Sequence, residues 1–169
     1  DSLMSRKDGP WYYEMVKLGY NYRITDFQCA LGFSQLKKLD NFINKRQLIA
    51  SIYNEYFSHI DNIITPKVGS KYGHSYHLYP LQINFKSFKV DKSDFFNFMK
   101  KNGVSLQVHY IPVHLQKYYM ENYGFKRGDF PLTEKFYENE ISLPVYPELT
   151  KVELEKVIKN FDEFFNSCD

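Results

Sequence analysis

Residues 75–85, SYHLYPLQINF, alternate apolar with polar side chains and are rich in aromatics. A period of two sends successive side chains to opposite faces of a strand, so this stretch asks for a sheet. The rest of the chain carries mostly helical periods. Thr25 and Gln28 form a Thr-x-x-Gln capping box, followed by Phe27, Ala30, Leu31, Leu36 and Leu39 on one face. Gly32 within that helix costs about 1 kcal/mol relative to Ala and suggests close packing. Asp40 is placed to cap a second helix, NFINKRQLIASIYNEYF, with Ile43, Leu48, Ile49, Ile52, Tyr53 and Tyr56 turned inward.

Beyond residue 85, KSDFFNFMKKNG reads as a helix capped by Ser93 and closed by Gly103. VSLQVHYIP reads as a second strand halted by Pro112. A helix is expected around PLTEKFYENEI, then a short extended piece, ISLPVYPEL, broken by two prolines. Thr150 and Glu153 open the last helix, with Val152, Leu154, Val157, Ile158, Phe161 and Phe164 apolar. The opening DSLMSRKDGPWYYEMV lacks a period and holds a Gly-Pro pair, as a connector does. The order predicts a small α/β sandwich, a few strands covered on one face by helices.

Composition narrows the function classes. The 169 residues suffice for one domain with a core, or for part of a larger protein, and Asp1 in place of Met fits a fragment or a processed product. Twenty-two Lys and Arg against 20 Asp and Glu leave +2, which gives a polyanion-binding surface no support. Lys37-Lys38 and Lys100-Lys101 read as solvated helix faces. Fifteen Tyr and 15 Phe point to amphipathic packing, rings inward and hydroxyls on polar partners. Two cysteines, Cys29 and Cys168, make no disulfide framework and fit a reducing compartment. No apolar run reaches the roughly 18 residues of a membrane helix, and no signal segment is visible, so a cytoplasmic protein is expected.

Of the five histidines, His74 and His77 would point to opposite faces of a strand, and His109 and His114 straddle a proline. Neither pair adjoins a cysteine or acidic cluster, and no metal site is expected. A Gly-x-Ser-x-Gly elbow and glycine-rich phosphate loops are absent. The polar residues outside regular elements are Asn21, Arg23, His77, His109, Tyr110 and His114. In one reading Arg23 pairs with Asp26 and the histidines are satisfied core residues. In the other, Asn21 and Arg23 cap a phosphate, because Arg offers forked donors to an oxyanion, and His109 and His114 face a polar ligand. The residues alone support both.

LGYNYRITDFQCALGFSQLKKLDNFINKRQLIASIY resembles the segment after the cofactor lysine in the DegT/DnrJ/EryC1/StrS family of sugar aminotransferases. SYHLYPLQINF, GVSLQVHYIPVHLQKYY and GDFPLTEKFYENEISLPVYPELT continue the resemblance in order, over nearly all of residues 17–160. HYIPVH is most similar to the branch that makes pseudaminic acid precursors. The resemblance implies a fold type I pyridoxal 5'-phosphate (PLP) transferase, a homodimer with shared active sites. Such an enzyme moves an amino group, usually from glutamate, onto C4 of a UDP-linked 4-keto-6-deoxy sugar. It further implies that Asn21 and Arg23 reach the cofactor phosphate held by the partner, and that His109, with Tyr110 and His114, lies by the sugar nucleotide.

The lysine and the carboxylate that the cofactor needs lie, in that family, on a large N-terminal domain that precedes GYNYR. Nothing here corresponds to it, and Lys17 and Lys37 match positions outside the reactive site. The expectation is therefore the C-terminal portion of such an enzyme, without a catalytic residue and inactive alone. Residues 1–60 would be the connector and helical segment to the large domain, and 61–169 the small α/β domain. The competing reading is a non-catalytic module kept for ligand binding or oligomerisation.

Overall fold

A computed structural model describes residues 9–69 and 73–166, so Cys168 lies outside the described residues. The chain divides into two compact units, Asp1–Lys37 and Lys38–Asp169. The second unit begins at Lys38.

In the first unit, α1 (Asp26–Leu36) starts where the capping box places it. Thr25 N–H donates to Gln28 Oε1 at 2.9 Å and Gln28 N–H donates back to Thr25 Oγ1 at 3.4 Å. None of its residues is buried. A side chain at Gly32 would meet nothing within 4 Å, so the expected tight packing is not made by the described residues.

In the second unit, α2 (Leu39–Phe57) buries Ile49, Ala50, Tyr53 and Phe57, a stripe at steps of four. Two expectations for α2 are corrected. Asp40 makes no cap; it sits inside the first turn, where a carboxylate meets the positive end of the helix dipole. Leu48 lies one position off the stripe, a rotation of about 100°, and is exposed.

The sheet is antiparallel in the order β1 (Ile63–Ile64), β2 (Tyr79–Ile83), β3 (Glu140–Leu143). The alternation in β2 survives: Tyr79, Leu81 and Ile83 are fully buried, and Pro80 and Gln82 half-buried. Proline is tolerated in this central strand because β1 pairs only with Gln82 and Ile83, leaving that edge open at Pro80. All of β3 is buried, with Ile141 and Leu143 in the apolar core and Glu140 and Ser142 on the reverse face.

The predicted strand over 104–112 is reduced to a single bridge, Gln107 to Ser142. Its ladder stops because the next inward N–H, that of His109, donates to the Glu140 carboxylate at 3.0 Å instead of to a backbone carbonyl. Val104 and Leu106 are nevertheless buried.

The helix after β2, α3 (Lys92–Lys101), is capped by Asp91, which accepts from Ser93 N–H at 2.6 Å; Ser93 itself is not the cap. Gly103, at φ +74°, turns the chain out of it. A 3-10 turn (Val113–Leu115) and α4 (Lys117–Tyr123) were not expected from the sequence, whereas α5 (Pro131–Asn139) was. Thr150 and Glu153 cap α6 (Lys151–Asn166) reciprocally, as their spacing predicts. Leu154, Val157, Phe161 and Phe164 are its inward face; Val152, expected among them, is exposed.

Aromatic rings make most of the core. Phe57 meets Phe161 edge to face at 4.9 Å, Phe95 meets Phe164 at 5.0 Å, and Tyr53 meets Tyr79 at 4.9 Å. The tyrosine hydroxyls find partners, as buried ones must: Tyr53 donates to the Pro144 carbonyl, Tyr79 to Asn54 and Tyr56 to Asp162.

Candidate functional site

The predicted site residues fall in both units. In the first, Asn21 and Arg23 are exposed in the extended stretch before α1. Asn21 Oδ1 accepts the Arg23 backbone N–H at 3.2 Å, which orders the stretch locally. The Asn21 amide N–H groups make no hydrogen bond to any described residue. The Arg23 guanidinium makes neither a hydrogen bond nor an ion pair with any described residue, and the Arg23–Asp26 pair that the sequence left open is not formed. Forked, solvent-facing donors of this kind suit an anionic group such as a phosphate.

In the second unit His109 and His114 are both held by glutamates, in different ways. His114, 7% exposed on the 3-10 turn, has Nε2 at 2.9 Å from Glu134 Oε1. Glu134 also accepts the N–H groups of Gly128 and Phe130, so one carboxylate ties the 3-10 turn to the loop before α5. The His114 hydrogen bond, helped by those two N–H donors, holds the Glu134 carboxyl below its usual range in spite of its burial. His114 also lines a cleft of about 340 Å³ with Val113, Tyr119, Phe125, Phe130 and Thr133.

His109 is half-buried, with Nδ1 at 2.8 Å from Ser142 Oγ and the Tyr110 ring edge-on at 4.7 Å. Tyr110 is exposed. His74 and His77 are exposed and precede β2 rather than lying on it; His74 Nδ1 accepts the Tyr76 N–H, and His77 joins none of the others. Among the described residues no group of His, Cys, Asp and Glu is arranged to hold a metal ion.

Three residues at this site escaped the sequence reading: Glu134, Glu140 and Ser142. The only signal was Glu-x-Ser, whose spacing of two puts both on one face of a strand. Lys92 is a fourth. Burial pulls its ammonium below the usual lysine range, the Glu140 and Glu138 charges oppose this, and Nζ donates to the Tyr137 carbonyl at 2.7 Å.

Residues 2–162 match the DegT/DnrJ/EryC1/StrS aminotransferase family. The chain belongs to that family. It is 44% identical over 143 residues to the uncharacterized protein MJ1066 of Methanocaldococcus jannaschii, covering 85% of this chain and 37% of that protein. It is 37% identical over 139 residues to the UDP-4-amino-4,6-dideoxy-N-acetyl-beta-L-altrosamine transaminase of Campylobacter jejuni, covering 82% of this chain and 36% of the transaminase. Among solved structures, it resembles PseC of Helicobacter pylori, an aminotransferase involved in the biosynthesis of pseudoaminic acid. The TM-score is 0.80 at 29% identity, over 96% of this chain and 43% of PseC. The PLP-form of the putative sugar aminotransferase Spr1654 from Streptococcus pneumoniae gives a TM-score of 0.81 at 27% identity, over 94% of this chain and 40% of Spr1654.

The chain therefore spans about two fifths of the length of the family members it matches. Its fold is the small α/β portion of a PLP-dependent aminotransferase, with a short sheet and packed helices. No helix among the described residues is long and apolar enough to cross a membrane.

Proposed function

We propose that this chain is the C-terminal part of a cytoplasmic, homodimeric sugar-nucleotide aminotransferase. The whole enzyme would move an amino group, the glutamate α-amino group in the family's manner, onto C4 of a UDP-linked 4-keto-6-deoxy sugar for pseudaminic acid or a related surface glycan. The observation that carries this reading is the Arg23 guanidinium, exposed and without a partner among the described residues, one turn of sequence before a firmly capped helix.

In the assembled dimer Arg23 and the Asn21 amide would donate to the PLP phosphate held by the partner subunit. When bound, the cofactor carries the amino group between donor and sugar and acts as the electron sink. The chain's own residues bind and orient. His109 and Tyr110 would meet the sugar nucleotide directly. His114, buried against Glu134, would shape the aromatic cleft beside it.

The test compares Arg23→Ala with Lys37→Ala in the full-length enzyme, reading cofactor absorbance after dialysis. Hydrogen bonds to charged groups contribute about 1.5–3 kcal/mol, so Arg23→Ala is expected to weaken cofactor retention roughly tenfold or more, and Lys37→Ala hardly at all. Equal loss in the two variants would mean that Arg23 has no ligand of its own.

A further inference from the structure

Glu140, Ser142 and His109 form a hydrogen-bonded chain. Alternation along β3 sends Ile141 and Leu143 into the apolar core and leaves Glu140 and Ser142 together on the reverse face. Glu140 is completely buried, and its carboxylate accepts two hydrogen bonds, from His109 N–H at 3.0 Å and from the Ser142 hydroxyl at 2.6 Å. The nearby Lys92 ammonium is engaged by the Tyr137 carbonyl.

A hydroxyl has one proton to give. Since Ser142 gives it to Glu140, Ser142 Oγ is left only as an acceptor toward His109 Nδ1, 2.8 Å away, and that nitrogen must carry a hydrogen. Nε2, on a ring that is half-buried, has no hydrogen-bond partner among the described residues.

We propose that Glu140 and Ser142 are positioning residues that hold the His109 ring, whenever it is neutral, in its Nδ1–H tautomer and leave Nε2 as an acceptor. The group it would receive is a hydroxyl or N–H donor of the sugar nucleotide, a placement that rests on the functional reading above. The tautomer itself does not rest on that reading. The hydrogen bond made by one ring nitrogen decides what the other offers, so replacing Ser142 would exchange an acceptor for a donor at the ligand side.

Long-range ¹⁵N–¹H NMR of the 169-residue chain at about pH 8.5, two units above an ordinary imidazole, reads the tautomer directly. The His109 Nδ1–H form is expected to be the major one. In Ser142→Ala the ratio of Nδ1–H to Nε2–H should fall roughly fivefold, the worth of one hydrogen bond. A preserved Leu81–Ile141 cross-strand contact would show that the variant is folded. A wild-type His109 in the Nε2–H form overturns the proposal, as does an unchanged ratio in folded Ser142→Ala. Should that variant not fold, the wild-type spectrum decides alone. In the full-length enzyme Ser142→Ala is expected to raise KM for the nucleotide sugar roughly fivefold with the cofactor absorbance unchanged. A shifted tautomer with an unmoved KM defeats the sugar placement and leaves the positioning role standing.

Discussion

Glu134 shows how one carboxylate can organise a loop. It accepts from the His114 ring and from two backbone N–H groups, and the resulting pKa lies below the carboxylate's ordinary value. A group whose folded pKa is depressed stabilises the fold above its unfolded value, near 4.3, and loses that contribution as the pH falls through the lower folded value. Glu134→Gln is therefore expected to lower Tm by about 2–4 °C at pH 7, with the gap to wild type closing as the pH drops below about 4. Melting curves followed by circular dichroism across that range would check it; a gap independent of pH would mean that packing, not charge, is what the substitution removes. At this scale the sequence singled out Asn21, Arg23 and His109 because polar groups in irregular stretches stand out. Glu134 was not: within PLTEKFYENE it looks like a solvated helix residue, and only the turn at Gly128–Phe130 folding onto it makes it a hub.

Elements were read well where caps and periods agreed, and less well where only apolar identity was available. The capping pairs Thr25–Gln28 and Thr150–Glu153 are local chemistry, complete within four residues, and both helices begin there. The phase of a buried stripe is not local. Leu48 and Val152 are as apolar as their buried neighbours, yet what packs against each helix turns them to solvent. A buried and an exposed apolar residue should therefore differ sharply in what their loss costs. Phe95→Ala, in a fully buried position touching Phe161, Phe164 and Phe165, is expected to cost about 3–5 kcal/mol. Val152→Ala should stay within about 0.5 kcal/mol. Chemical denaturation of the two variants measures both, and similar losses would contradict the exposed position of Val152.

Across the whole molecule the apolar surface is unevenly spread. In the first unit Leu18 is 92% exposed and Phe27 89%, and Trp11, Tyr13, Leu31 and Leu36 are also open. Soluble monomers seldom expose contiguous apolar patches beyond a few hundred Å². The chain alone is expected to self-associate, with residues 9–37 cut by protease before the strands; sedimentation and limited proteolysis would show it. A strict monomer with α1 as protected as β2 would favour an independent module instead. Because the resemblance places the cofactor lysine outside these residues, incubation with PLP and borohydride should leave no adduct mapped to a single lysine of this chain. Mass spectrometry showing such an adduct would relocate the chemistry.

The sequence by itself determined the elements whose causes are short-range: the two capping boxes, the alternation of β2, the proline-led α5 and the exposed Asn21–Arg23 stretch. It also carried the family, since motif order persists along a chain regardless of packing. Tertiary structure alone decided the rest. It cut the expected strand at 104–112 to one bridge, because Glu140 draws the His109 N–H away from the ladder. It placed α2 in the sheet unit through Tyr53 and Phe57. It also buried Glu140 beside Ser142 so that the hydrogen bonds at His109 have one consistent direction. Each of these depends on groups more than 20 residues apart coming within about 3–5 Å, and no local period or propensity encodes such a meeting.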